Sequence, residues 1–311
     1  MNFLFRLLII SLMIVMIAQL QACQMNDLKD LEPSGPIARS IDDLFWITVA
    51  LMATVLAPVF VMTACFTWKY RASNHNAEYS PDWDSSIELE WLVWLIPALI
   101  VAILSILTWI YSHRLDPYKA QTSALPPLEI QVVAMDWKWL FIYPEQNIAT
   151  VNEMAIPIHR AIALKITSNT VMNSFFIPRL GGQIYAMAGM ETQMHLIADL
   201  PGRYFGENIQ FSGRGFSYQN FNALVGSQQY FENWIKKVKT AEHQLDDHQF
   251  GALAKPSIHH PVTYYASVQP GLFKQVINRF QGSQNYQGKE GHRLSSQVNQ
   301  NSLDRNAADV R

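Results

Sequence analysis

Two stretches of this chain contain no charged side chain at all: Leu44 to Trp68, about 25 residues, and Trp91 to Ser112, about 22. A helix rising ~1.5 Å per residue needs about 20 apolar residues to cross a hydrocarbon core of ~30 Å, so each run is long enough to span. Inside lipid every backbone amide must find an internal partner, which restricts such runs to helices. Glu90 precedes the second run and His113-Arg114 follow it, while Trp46, Trp68, Tyr70, Trp91, Trp109 and Tyr111 cluster at the ends, where amphipathic rings prefer the headgroup level. The expected layout is a helical hairpin with spans over 44–68 and 91–112 and a connecting loop over 69–90. A composition of 50% hydrophobic and 15% charged residues agrees with a membrane protein. A net charge of -2 without any long Lys/Arg run excludes the electrostatic footprint of a nucleic-acid partner.

The first residues read as an export signal over 1–22, with Arg6 as the positive end, Leu7 to Ile17 as a short apolar core and Leu20-Gln21-Ala22-Cys23 as the close. That tetrapeptide resembles a bacterial lipobox, which makes Cys23 the acylated first residue of a mature chain whose lipidated segment covers 23–43. The other reading is a plain anchor or an ordinary signal with a chance cysteine. The apolar core is short for a span, and two better spans follow, which favours lipidation. An exported N-terminus leaves the 69–90 loop in the cytoplasm and returns everything after Ser112 to the outside. Only Cys65 accompanies Cys23, so no disulfide framework exists.

Beyond Pro126-Pro127 the period changes. Ile162, Leu164 and Ile166 alternate with Ala163, Lys165 and Thr167, and Met194, Leu196 and Ala198 alternate with His195, Ile197 and Asp199, which is the pattern of half-buried strands. Gly181-Gly182, Pro201-Gly202 and Gly213-Arg214-Gly215 mark turns. The region 125–227 therefore reads as a β-sandwich or Greek-key barrel. Phe231, Trp234, Ile235 and Val238, then Leu272, Val276, Ile277 and Phe280, repeat at helical spacing, so 228–282 reads as amphipathic helices packed on the sandwich or on another subunit. The tail 283–311 is Gln, Asn, Ser and charge with almost no apolar residues, and is expected to be disordered.

Three runs carry a family signature: Val133-Ala134-Met135-Asp136-Trp137-Lys138-Trp139, Asn173-Ser174-Phe175-Phe176-Ile177-Pro178-Arg179-Leu180-Gly181, and Ser212-Gly213-Arg214-Gly215-Phe216-Ser217. Together with the lipobox and the hairpin, the chain over 23–280 resembles subunit II of the haem-copper terminal oxidases, in the copper-less branch of the cytochrome bo-type ubiquinol oxidases. The resemblance implies a membrane α + β protein: a two-helix hairpin, an exported cupredoxin-like β-sandwich and C-terminal helices. It also implies a place in a complex that oxidises ubiquinol, reduces oxygen to water and pumps protons. Haems, copper and ubiquinol would then belong to subunit I, the main partner. Subunits III and IV and membrane lipids would be further partners, and cytochrome c would not be one.

In the cytochrome c branch the sandwich holds two coppers on a His before Ser-aromatic-x-x-Pro and on a Cys-x-Glu-x-Cys-x-x-x-His-x-x-Met run. The positions matching those ligands are Asn173, Ser212, Arg214, Phe216, Asn220 and Ala223, so every side-chain ligand is replaced. No cysteine follows Cys65, and neither a two-copper nor a blue-copper site is built without a thiolate. The six backbones are expected to converge at one end of the sandwich, with the bulky Phe216 filling part of the emptied space. His159, His195, His259 and His260 lack ligand spacing and read as surface or structural residues. Trp137 and Trp139, two apart, are expected to share one face of a strand as a packed pair.

Glu90 matches the family glutamate that opens the second span, at the mouth of a proton pathway into subunit I. The plainer reading is a carboxylate favoured at a helix N-terminus, and Glu88 and Asp84 compete as proton collectors. A rival function, a stand-alone lipoprotein with a degenerate sandwich as a binding module, leans on Met187, Met190 and Met194 as soft ligands for Cu(I).

Overall fold

The computed structural model describes residues 32–75 and 84–281. The expected export signal over 1–22, the expected acylation site Cys23, part of the interhelical loop and the tail from 282 lie outside the described residues.

The chain divides into two compact units. One holds most of two long helices, α1 over Pro36–Lys69 and α2 over Ile87–Arg114. Both are long and apolar enough to cross a membrane. Helix α1 starts eight residues before the uncharged run that opens at Leu44, because Ser40, Ile41, Asp42 and Asp43 extend it without a breaker. In α2 no residue is buried and the apolar side chains face outward all round, as lipid or a partner helix requires.

The second unit is a two-sheet sandwich, cupredoxin-like in architecture. Its strands are β1 (Leu128–Met135), β2 (Lys138–Tyr143), β3 (Ile148–Val151), β4 (Glu153–Pro157), β5 (Ile162–Ser168), β6 (Asn173–Phe176), β7 (Ile184–Ala186), β8 (Thr192–Leu196), β9 (Gly202–Asn208), β10 (Asn220–Gly226), β11 (Gln244–Leu245), β12 (Thr263–Tyr265) and β13 (Ser267–Val268). One sheet runs β12-β3-β2-β1-β5-β8 and the other β4-β10-β9-β6-β7. The alternation of β5 and β8 is as the sequence predicts: Ile162, Leu164, Ile166, Met194 and Leu196 point into the core between the sheets. Leu164 faces Met194 across the antiparallel pair.

Strand β2 does not alternate, since all six of its residues are buried. Trp139, Phe141 and Tyr143 fill the space between the sheets, whereas Leu140 and Ile142 join a second core on the outer face of the larger sheet. A strand covered on both sides loses its polar phase. The Tyr143 hydroxyl ties the sheets together, donating to Ala155 O and accepting from Ala155 N, both at 2.9 Å. Burial pushes this phenol well above its ordinary pKa.

The C-terminal region is more than two helices. Helix α3 (Gln228–Lys239), capped by Ser227, buries Phe231, Trp234 and Val238 against the sandwich. Helix α4 (Asp247–Leu253) and helix α5 (272–281) combine with β11 and β13 to cover the outer face, while β12 adds an edge strand beside β3. Strands of two or three residues and the seven-residue α4 are too short to show a period, which is why only α3 and α5 are readable from sequence.

The residues just before α1 also belong to the sandwich unit. Ser34 is fully buried: its N–H donates to Arg179 O at 2.8 Å and its carbonyl accepts from Asp199 N at 2.9 Å. Arg179 Nε donates to Glu32 O and Ser34 Oγ, both at 3.1 Å.

Candidate functional site

At one end of the sandwich the C-terminus of β9, the N-terminus of β6 and the 209–219 loop meet around Asn208, which is 3% exposed. Its Nδ2 donates toward Asn173 Oδ1 at 2.9 Å, Gln219 Oε1 at 2.9 Å and Ser212 Oγ at 3.1 Å. Its Oδ1 accepts from the backbone of Ser174 at 2.8 Å and of Gln210 at 3.0 Å. Gln219, 1% exposed, accepts in addition from Ser212 Oγ at 3.0 Å and donates to Met135 O at 3.2 Å. Asn173 donates to Val171 O at 2.8 Å. The result is a plug of neutral amides and a hydroxyl, a mutually satisfied network of the kind that stabilises only when complete.

Trp137 roofs this plug. It stands in the two-residue turn between β1 and β2, not on a strand, and its φ of 62° is unusual for a bulky residue. Its indole donates to Ser212 O at 3.1 Å and lies over the loop so closely that a Cβ on Gly215 would stand 2.3 Å from the ring. Trp137 and Trp139 thus do not share a face. Trp139 is buried between the sheets, edge-on to Phe175 and Phe221, and donates to Gln219 O at 3.4 Å.

The relatives of this chain give the arrangement its context. A ubiquinol oxidase subunit 2 from Acetobacter aceti is 47% identical over 82% of this chain and 83% of its own length. This chain belongs to the ubiquinol oxidase subunit II family. A cytochrome bo(3) ubiquinol oxidase subunit 2 from Pseudomonas putida is 46% identical over 81% of this chain and 80% of its own. The family model of the cytochrome c oxidase subunit II periplasmic domain matches residues 109–223, and that of the COX aromatic rich motif matches 239–284. The periplasmic domain of subunit II of cytochrome oxidase from Bradyrhizobium japonicum aligns with a TM-score of 0.35 at 20% identity, covering 37% of this chain and 96% of that one.

The six positions that the sequence resemblance matches to copper ligands are placed differently from one another. Asn173 and Ser212 enter the plug through Asn208. Phe216 and Asn220 line an adjoining cavity of ≈330 Å³ with Glu207, Asn208 and Gln219. Arg214 is exposed at the loop tip, and Ala223 is fully buried on β10 opposite Tyr204. Phe216 does not fill the centre: it is half-buried on a short 3-10 turn against the exposed Phe211 ring, 5.7 Å between centroids. The space is taken by Asn208 and Gln219, which the sequence does not flag because a lone amide near a strand end carries no pattern. Amide and hydroxyl oxygens already committed to one another are not the donor set of a thiolate-bridged copper centre, so these residues do not fit that group.

Glu90 lies in the first turn of α2 with Glu88, exposed, its N–H donating to Ser86 O at 2.9 Å.

Proposed function

We propose that this chain is the non-redox subunit II of a proton-pumping ubiquinol oxidase that oxidises ubiquinol and reduces oxygen to water. The observation that supports the reading is the polar plug: Asn173 and Ser212, two of the positions the resemblance matches to copper ligands, are hydrogen-bonded to Asn208 in a chain 47% identical to a ubiquinol oxidase subunit 2. Electrons then enter subunit I directly from quinol in the membrane, and haems and copper reside there. The chain's own task is to support subunit I, alongside subunits III and IV, and to offer a proton entry at Glu90. In this reading the sandwich is periplasmic, the loop over 69–90 is cytoplasmic and Cys23 carries acyl chains in the inner membrane. No observation favours the stand-alone lipoprotein.

Gentle solubilisation and purification through this chain tests the assignment. Haem-bearing partners with a quinol-reducible optical spectrum should come along, and the mass of the chain should be that of a polypeptide beginning at acylated Cys23. Isolation without haem would end the oxidase reading, and an intact Met1 would end the anchor.

Glu90 is the candidate collector because a carboxylate at a membrane edge reaches water without a large desolvation cost. Glu90→Ala should slow oxygen reduction at normal assembly and normal quinol affinity, and Glu90→Asp should keep more of the rate. Equal turnover in both variants and the parent would reduce Glu90 to a helix-end residue whose charge complements the dipole, leaving Glu88 or Asp84 for the role.

A further inference from the structure

Lys138 begins β2 on the outer face of the larger sheet and is 1% exposed. Its ammonium donates to Lys255 O at 2.8 Å and to Ser257 Oγ at 2.6 Å, both on the loop that joins α4 to β12. Ser257 Oγ lies 3.3 Å from His260 Nδ1, and His260 Nε2 lies 3.5 Å from Thr263 Oγ1, which itself donates to Pro261 O at 3.1 Å. Asn152 anchors the same loop, donating to His260 O at 2.8 Å while accepting from Trp139 N at 2.9 Å.

The direction of this relay is fixed by its ends. Lys138 only donates, so Ser257 must accept from it, and the Ser257 hydroxyl proton is left for His260 Nδ1. That nitrogen must then be bare, with the ring proton on Nε2 facing Thr263. A protonated imidazole would turn Nδ1 into a second donor, and two cations would compete for one hydroxyl oxygen. The charged groups facing His260 are Lys138 from β2 and, beyond it, Asp136 from the β1–β2 turn, which bears on Lys138.

We propose that the loop over 255–263 is a proton-operated latch, closed on the sheet while His260 is neutral and released when His260 takes a proton. Burial, and then the Lys138 charge, hold the His260 imidazole below its ordinary value. A base with a lowered folded pKa contributes stability that is present above its unfolded pKa of about 6.5 and lost as pH falls through the folded value. Release uncovers the Lys138 ammonium, which Lys255 O and Ser257 Oγ of this loop hold, and loosens the tie of Asn152 to His260 O.

Hydrogen exchange of the full chain in its detergent-purified complex tests this, reading peptides over 255–263 at about pH 7.5 and about pH 5.5 after correction for intrinsic exchange rates. Protection should fall with acid by up to about tenfold per pH unit below about 6.5. His260→Gln keeps an acceptor toward Ser257 and a donor toward Thr263 without titrating, and should hold the protection of the neutral form at both values. Ser257→Ala should open the loop at both. An unchanged wild-type loop, or acid loosening that persists in His260→Gln, overturns the latch, as does a Ser257→Ala loop that stays protected at the higher pH.

Discussion

Replacing Asn208 with leucine should lower the unfolding free energy by roughly 3 kcal/mol or more, because its removal orphans the Ser174 and Gln210 amides and Asn173 Oδ1, each at about 1–3 kcal/mol. Leucine matches the volume but accepts nothing. The measurement is a denaturant midpoint of the full chain with an unchanged slope, which separates stability from a change in compactness. The comparison is Arg214→Ala on the exposed tip of the same loop, where a change within about 0.5 kcal/mol is expected. Equal effects at the two sites would mean that the plug holds nothing together.

The second large effect is a gain. Asn173→His, Ser212→Cys, Arg214→Glu, Phe216→Cys, Asn220→His and Ala223→Met, combined in one full-length variant, should produce a coloured protein with sulfur-to-copper absorption. The apo form should be weaker than the parent by about 2–5 kcal/mol, from two sources: Asn173 and Ser212 leave the plug, and a methionine is forced into the fully buried Ala223 site. Removing Phe216 adds little, since its ring lies on the rim rather than in the centre. Copper should restore most of the loss, because a metal that binds only the folded state stabilises it. A folded variant that takes up no copper would show that these six positions are not the family's cradle.

How far the chain can be read without coordinates depends on whether a residue answers to a repeating pattern. Ile162, Leu164, Ile166, Met194 and Leu196 declare their strands because one face of each meets the core and the other meets water or a neighbour. Phe231, Trp234 and Val238 declare α3 in the same way. Strand β2 is silent on this scale, since the aromatic-rich C-terminal region covers its second face. Trp137 misleads more directly: Asp136-Trp137 is not a turn pair by composition, yet the register Met135 to Lys138 makes it one. The indole is held at its positive φ by Ser212 and Gly215, residues nearly eighty positions away. Likewise the absence of thiolates after Cys65 is plain from sequence, whereas Asn208 and Gln219, the centre of the plug, have significance only through partners brought together by the fold.

The docking of Ser34 on Arg179 and Asp199 sets a timetable. Arg179 lies 145 residues downstream of Ser34, so the first residues of the sandwich unit to be made are among the last to find their partners. At 5–20 residues per second of synthesis the interval is roughly 7–30 s, long beside the microseconds in which a helix forms. During that interval both long apolar helices have been made while the edge beside β8 stays open. The entropy of closing so long a loop rises only as the logarithm of its length, so the delay costs little in final stability. It does mean that the Glu32–Ser34 segment is free of the folded domain for most of the chain's synthesis, and docks only when the residues after the strand that ends at Leu196 are in place.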